Sequence, residues 1–204
     1  MISLFGWAAL GLLLAYLALF FWGTMRTARL AGRKVWLFGQ AKGRDRWAAL
    51  GFRAAFAIAY FGPLVWLSLP TLRGADPLWA LFRLPAFGLV LSFSGALVAL
   101  VAQFSMGASW RVGISAGETG RLVSTGIFRF SRNPTFVGQF LLLAGVFLAV
   151  PALPTLLAAG LFMWSAYAQV SSEEAELRKS LGPEYDAYAA RVPRWLGVVR
   201  NRAR

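Results

Sequence analysis

The residues of this chain best suited to chemistry form two polar clusters that a long uncharged segment separates. The first cluster, residues 120–138, contains three arginines and an Asn-Pro pair, and the second begins at Glu173-Glu174. Carboxylates beside guanidinium groups can hold a charged ligand or accept a proton. The two clusters therefore predict a site for a charged ligand, provided that the fold brings them together.

The segment between the clusters predicts how they meet. Residues 133–172 carry no charge, and Pro151 and Pro154 lie near the middle. This pattern predicts two helices, at about residues 134–150 and 155–170, joined by a turn. Both ends of such a hairpin lie on the same face of a membrane, so we expect Arg132 to lie close to the two glutamates.

Composition places the chain in a lipid bilayer. Of 204 residues, 58% are hydrophobic and 14% are charged, whereas soluble domains have about 25% charged residues. Cysteine and histidine are absent, which excludes disulfides and thiolate chemistry and argues against a metal site. The net charge of +13 is interleaved with apolar runs, so it indicates topology and contact with anionic membrane lipids rather than nucleic acid.

The apolar runs predict an all-α, polytopic bundle of about five transmembrane helices. The first three spans are residues 3–22, 54–72 and 84–110, the last of them centred on 85–105. The helices of the hairpin are the fourth and fifth spans, and both are short. We expect one domain, residues 1–204, in which residues 1–106 supply N-terminal spans and residues 107–204 form the binding core.

The distribution of basic residues predicts orientation. Only Arg73 and Arg83 fall outside the segments that share one side in this five-helix arrangement. The positive-inside rule then places the N-terminus outside and the C-terminus in the cytoplasm, in a bacterial inner membrane. Residues 173–191 form a polar, amphipathic C-terminal segment that Gly182-Pro183 interrupts.

Two short motifs each have a structural and a functional interpretation. Asn133-Pro134 is typical of a helix start, where free N–H groups can also bind a polar ligand. Ser171 and Glu174 have the spacing of a capping box, which would begin a new helix. Alternatively, the two acids form ion pairs with arginine or face a cationic ligand.

The segment Gly113–Gly117 matches the G-x-S-x-G pattern of serine hydrolases. The chain has no histidine to serve as the base, and no strand precedes the motif. We therefore exclude a hydrolase of this type, and the chain has no glycine-rich dinucleotide motif after a strand.

The motifs and their order resemble those of the superfamily of isoprenylcysteine carboxyl methyltransferases and phospholipid N-methyltransferases. The resemblance covers about residues 110–195. It rests on Gly120-Arg121-Leu122-Val123, Gly126-Ile127-Phe128, Arg132-Asn133-Pro134-Thr135-Phe136-Val137-Gly138, Glu173-Glu174-x-x-Leu177, Leu181-Gly182-x-x-Tyr185-x-x-Tyr188 and Val192-Pro193-Arg194.

The resemblance implies an integral membrane methyltransferase that uses S-adenosylmethionine and acts on a lipid-like or small hydrophobic acceptor at the cytoplasmic face. It implies a cofactor pocket closed by the C-terminal helices. Carried over by motif, the cofactor-binding residues are Gly120, Arg121, Leu122, Val123, Phe128, Asn133, Pro134, Thr135, Phe136 and Glu173.

Two departures bear on the acceptor. The carboxyl methyltransferases usually have Arg-His-Pro where this chain has Arg132-Asn133-Pro134, and an arginine where it has Gln169. That arginine is associated with the substrate carboxylate, so an amine- or thiol-bearing lipid, or another small hydrophobic acceptor, is at least as consistent with the sequence. Gln169 is the substrate-binding candidate, and Glu174 and Arg132 are the catalytic candidates.

Two alternatives remain at this point. Membrane sterol reductases resemble the same C-terminal architecture but bind NADPH, whose 2′-phosphate could bind Arg121, Arg129 and Arg132. The other alternative is a non-catalytic membrane protein that retains the fold.

Overall fold

The computed structural model describes residues 2–79, 84–113 and 122–197, and this part of the chain is a helical bundle. Short 3-10 turns occupy Phe38–Gln40, Gly107–Ser109 and Gly126–Arg129. Within the described ranges, β pairing is limited to one bridge between Trp36 and Val112. The helices are α1 (Ile2–Ala31), α2 (Gly43–Ser68), α3 (Pro70–Ala75), α4 (Pro85–Ser105), α5 (Pro134–Ala149), α6 (Leu153–Leu181) and α7 (Pro183–Arg191).

Four of these helices, α1, α2, α4 and α6, are long and apolar enough to cross a membrane. At 16 residues, α5 is apolar but shorter, about 24 Å against a hydrocarbon core of about 30 Å. The protein is therefore an integral membrane protein with an all-α polytopic bundle, as the sequence predicts.

Glycines let α4 and α5 pack with their backbones in contact. A Cβ on Gly95 would meet backbone atoms of Gly138 and Leu142, and a Cβ on Gly88 would meet the backbone of Ala149 and Gly145. Since the start of α4 lies beside the end of α5, the two helices run antiparallel. Inside a membrane the hydrophobic effect does not drive helices together. Small residues stabilise such contacts instead, because they allow close van der Waals packing. This contact holds the short α5 in place along its length.

The two ends of the bundle differ in their polar contacts. We call the site face the end at which α1, α4 and α6 terminate and α2 and α5 begin. There, Ser172 on α6 donates to Asp45 Oδ1 on α2 at 2.6 Å. At the opposite end, the far face, Asp76 is buried and accepts hydrogen bonds from Trp66 Nε1 (2.8 Å) and from the backbone N–H of Leu153 (2.8 Å). Asp76 thus fixes the beginning of α6.

Several helix boundaries differ from the predicted spans. The first span is predicted to end near residue 22, whereas α1 continues to Ala31. The second is predicted to begin at residue 54, whereas α2 begins at Gly43. Arginine and lysine favour helix as much as leucine does, so charge marks where the bilayer ends rather than where the helix ends. The second span stops before Pro70, whose missing N–H and restricted φ begin a separate short helix.

The capping-box interpretation of Ser171 is wrong. Helix α6 runs through Ser171 and Glu174 to Leu181 without interruption, and Ser171 Oγ donates back to the Tyr167 carbonyl at 2.7 Å. The predicted break at Gly182-Pro183 is confirmed, with Gly182 at φ 51° between α6 and α7.

The predicted start at Asn133-Pro134 is also confirmed. Pro134 is the first residue of α5, and Asn133 accepts the Val137 N–H at 3.1 Å through its carbonyl. The Asn133 side chain makes no capping hydrogen bond, and its Nδ2 donates instead to the Arg194 carbonyl.

Candidate active site

A cavity of about 110 Å³ opens among α1, α2, α5, α6 and α7 at the site face. It is lined by every predicted site residue that the structure describes, whereas Gly120 and Arg121 lie outside the described residues. These side chains come from distant parts of the sequence, so the predicted meeting of the two clusters takes place. The predicted residues around the cavity are Leu122, Val123, Phe128, Arg132, Asn133, Pro134, Thr135, Phe136, Gln169, Glu173 and Glu174.

Glu173 is paired with an arginine that sequence reasoning did not select. Arg111 Nη2 lies 3.2 Å from Glu173 Oε1 and donates a hydrogen bond to it, and the Arg111 side chain is 8% exposed. Arg111 is the first charged residue after the uncharged third span. Its position at the end of that run was the available signal, because a charge at a span end faces either water or a partner.

Glu174 is nearly inaccessible and lies between two arginines. Arg194 donates to Glu174 Oε2 from Nη2 at 2.6 Å and from Nε at 3.2 Å. Arg132 Nη1 lies 3.2 Å from the other oxygen, Oε1, as an ion pair without hydrogen-bond geometry. A carboxylate that is 2% exposed needs such neighbours, since a buried charge without a partner is costly.

The segment Val192-Pro193-Arg194 lies against the start of α5 and bonds to residues that line the cavity; we call it the C-terminal strap. Arg132 N donates to the Pro193 carbonyl at 2.9 Å, and Asn133 Nδ2 donates to the Arg194 carbonyl at 3.0 Å. The Arg194 guanidinium also lies 5.7 Å from the Tyr167 ring centroid, and its hydrogen bond to Glu174 raises its pKa. Backbone hydrogen bonds and the Arg194 side chain thus both attach the strap to the bundle.

Two tyrosines of α7 form the wall next to the strap. Tyr188 OH donates to the Phe128 carbonyl at 2.7 Å, and Arg132 Nη1 donates to Tyr185 OH at 3.4 Å. Burial raises the pKa of Tyr185 to about 12, and burial also raises the pKa of Tyr188. Both hydroxyls are therefore un-ionised at neutral pH. The resemblance quoted both tyrosines as motif residues but gave them no role.

The end of the cavity away from the site face is aromatic. Phe52 from α2 and Phe136 from α5 both contact Phe162 of α6, with ring centroids 5.6 and 6.4 Å apart. Gln139 Nε2 donates to Tyr16 OH at 2.7 Å, and this buried hydrogen bond satisfies the Gln139 side-chain N–H in the membrane interior. Sequence reasoning missed these contributions of α1 and α2, because nothing in a single sequence shows which faces of distant apolar helices meet.

Buried polar atoms without a hydrogen-bond partner concentrate at this cavity. Across residues 2–79, 84–113 and 122–197, the side-chain atoms of this kind are Gln103 Oε1, Arg132 Nε, Gln169 Nε2 and Glu174 Oε1. Residues 132, 169 and 174 line the cavity, and residue 103 does not. Since buried polar groups are normally satisfied, this concentration indicates a polar ligand at the cavity.

Among the residues that the structure describes, the arginines that the reductase alternative needs do not meet at the cavity. Arg129 is exposed and does not line the cavity. Arg132 is paired with Glu174, and Arg121 lies outside the described residues. Of the two arginines that can be placed, only Arg132 faces the cavity, and its Nη1 is already paired with Glu174.

Comparison with known proteins finds two matches. The family of phospholipid methyltransferases matches residues 84–184, from the beginning of α4 to the first turn of α7. A protein-S-isoprenylcysteine O-methyltransferase of Schizosaccharomyces pombe is 29% identical over 79 residues, which are 38% of this chain and 34% of the relative. The chain thus spans about a third of the length of that curated relative. No solved structure matches the chain.

The matched residues hold α4, α5 and α6, and with them the two glutamates, Arg132 and Gln169 of the cavity. The membrane-length helices show an integral membrane protein, and the part of it that lines the cavity is similar to membrane methyltransferases. Both matches support the resemblance to the superfamily that includes the phospholipid methyltransferases and the isoprenylcysteine carboxyl methyltransferases.

Proposed function

We propose that this membrane protein is a methyltransferase that uses S-adenosylmethionine, bound in the cavity at the site face, and methylates a hydrophobic acceptor that enters from the bilayer. When bound, S-adenosylmethionine supplies a methyl group activated on a sulfonium cation. The observation that carries the proposal is the group of unpartnered buried atoms at the cavity, which includes both donors and a carboxylate oxygen. A ligand with positive and negative groups fits such a set.

The charged end of the cavity supports the assignment of the cofactor. Glu173 is held by Arg111 through Oε1 and is proposed to complement the positive groups of the cofactor. The buried Arg132 Nε, which has no partner within the described chain, is proposed to donate to the cofactor carboxylate. Each contact is charge-assisted and about twice as strong as a neutral hydrogen bond.

Further side chains complete the proposed cofactor pocket. The start of α5 presents Asn133 and Thr135, and Phe128 and Phe136 supply aromatic faces for a cation or for adenine. We also assign Gly120, Arg121, Leu122, Val123 and Pro134 to this pocket, on the strength of the motif.

Glu174 is the proposed proton acceptor when the methyl acceptor arrives protonated. Its Oε2 is taken by Arg194, whereas Oε1 has no hydrogen bond from any described residue and lies at the cavity. Holding reactants in line contributes much of the acceleration in such a transfer, so the chain's main task is positioning and exclusion of water.

Binding to purified protein tests the proposal. Calorimetric titration with S-adenosylmethionine and S-adenosylhomocysteine should show saturable binding, and Glu173→Gln should weaken it about 10- to 100-fold. Glu184→Gln, an exposed carboxylate on α7, is the matched control and should bind normally. Binding of NADPH alone would support a reductase. Binding of none of the three by folded protein, also in lipid nanodiscs, would favour a non-catalytic protein.

We propose that the site face lies in the cytoplasm, with the N-terminus outside, in the plasma membrane. The basic residues between α1 and α2 support this orientation. Because the chain has no cysteine, Lys42→Cys on the site face and Gly74→Cys on the far face can be labelled singly. In intact cells an impermeant maleimide should label Gly74→Cys and spare Lys42→Cys, and the opposite pattern contradicts the orientation.

A further inference from the structure

Gln169 occupies the boundary between the charged and the aromatic ends of the cavity. It lies on α6 one turn from Glu173 and two turns from Phe162, all on one face of the helix. Going from the site face into the bundle, α6 therefore presents a carboxylate and then a neutral amide to the cavity. Phe162 is fully buried beyond them and packs against Phe52 and Phe136, whose rings line the cavity. A hydrophobic molecule with a polar head would place that head beside the amide.

The Gln169 amide is prepared for a ligand. The residue is 5% exposed and lines the cavity, and its Nε2 has no hydrogen-bond partner in the part of the chain that the structure describes. A buried amide N–H that is left unpaired is unfavourable, so a partner is expected to come from a bound molecule. That partner must offer a lone pair, because Nε2 is a donor.

The charges around the cavity decide which kind of head is accepted. The described cations that line it are Arg111 and Arg132, and each is already paired with a glutamate at 3.2 Å. The remaining donor of Arg132, Nε, is assigned to the cofactor carboxylate under the proposed function. A carboxylate placed beside Gln169 would then lose its hydration without gaining an uncommitted cation from these residues, which is strongly unfavourable. A neutral head loses far less on entering and still satisfies the amide.

We propose that Gln169 selects a methyl acceptor with an uncharged head that accepts a hydrogen bond, such as a long-chain phenol, and disfavours a carboxylate. This inference rests on the proposed function, since it names the acceptor class of the same site. The amide holds the head one turn deeper than Glu173, and the phenylalanines beyond it contact the chain of the acceptor.

Two probes of equal chain length test the selection, 4-dodecylphenol and dodecanoic acid at a pH at which the acid is ionised. Binding of each to purified protein is measured by calorimetry, with and without S-adenosylhomocysteine. We expect the phenol to bind at least tenfold more tightly than the acid. Gln169→Leu should weaken phenol binding about tenfold, while Gln169→Arg should shift the preference towards the acid. Ser171→Ala, whose hydroxyl bonds within α6 outside the cavity, is the matched control.

The inference is overturned if the acid binds as tightly as the phenol, if Gln169→Leu binds the phenol normally, or if neither probe binds. Failure of the proposed function gives a different result, because S-adenosylhomocysteine then fails to bind the parent protein whatever the probes do. Retained binding of S-adenosylhomocysteine by Gln169→Leu shows that the variant is folded and that the loss concerns the acceptor alone.

Discussion

Replacing Arg194 by methionine tests what holds the C-terminal strap on the bundle. Methionine keeps much of the apolar length of the side chain but removes both donors to Glu174 Oε2, which lie at 2.6 and 3.2 Å. The carboxylate is 2% exposed, so water cannot replace them without opening the structure. The backbone bonds of the strap to Arg132 and Asn133 remain possible in the variant.

The expected loss follows from the geometry. Hydrogen bonds to a charged group contribute about 1.5–3 kcal/mol in proteins. The lower half of that range applies, because the Arg194 side chain is 30% exposed and Arg132 still lies 3.2 Å from the carboxylate. We therefore expect a loss of about 2 kcal/mol, which makes opening of the strap about thirtyfold more frequent.

Hydrogen exchange measured by mass spectrometry reports this opening. The Arg132 amide donates to the Pro193 carbonyl, and the amides of α7 lie next to the strap. Both should exchange about thirtyfold faster in Arg194→Met. Arg191→Met is the matched control, because that exposed arginine bonds through Nε only to the carbonyl of Ala187 in its own helix.

A double-mutant cycle with Glu174→Gln isolates the contact. If the strap is held by this pair, Arg194→Met should have a much smaller effect in the Glu174→Gln background, with a coupling energy of about 1–2 kcal/mol. Equal exchange in Arg194→Met and Arg191→Met, or simple additivity in the cycle, would refute the reasoning and leave the backbone bonds as the support of the strap.

Two further predictions concern the stability of the bundle, measured as thermal unfolding in detergent. Gly138→Ala places a methyl group against the α4 backbone and should cost at least about 2 kcal/mol, whereas Gly11→Ala, with open space around it, should be neutral or stabilising. Asp76→Asn removes charge from a buried acceptor of the Trp66 and Leu153 N–H groups and should cost about 1–3 kcal/mol. An unchanged midpoint in Gly138→Ala, or equal effects of Asp76→Asn and of Asp186→Asn on the exposed side of α7, would contradict these assignments.

The parts of the fold that the sequence predicts are those set by local chemistry. Asn133-Pro134 begins α5 and Gly182-Pro183 separates α6 from α7, because proline fixes φ and glycine permits a positive φ. The hairpin follows from the prolines near residue 152 and from the lack of charge on either side. Its closure brings Arg132 to Glu174, so the electrostatic centre of the cavity could be predicted as well.

The parts that the sequence does not predict depend on contacts between distant elements. The capping-box spacing of Ser171 and Glu174 indicates a helix start. In the bundle, however, Glu173 and Glu174 form ion pairs with Arg111, Arg132 and Arg194, and α6 continues through them. Local propensity is weak compared with such tertiary contacts.

The aromatic end of the cavity escaped prediction for a similar reason. Phe52 comes from the half of the chain that the motifs do not cover, and every apolar helix offers several phenylalanines at suitable spacing. Which of them face inward depends on helix packing, and a single sequence does not contain that information.

The continuity of α6 has a consequence for how such a site works. Had the helix broken at Ser171, Glu173 and Gln169 would lie on separate segments that move independently. On one helix they stay one turn apart, about 6 Å along the axis. The far end of the same helix is fixed by Asp76, which accepts the Leu153 N–H. Under the proposed function, one rigid element then sets both the depth at which an acceptor head binds and the place of the charged ligand groups, as in-line transfer between two ligands requires.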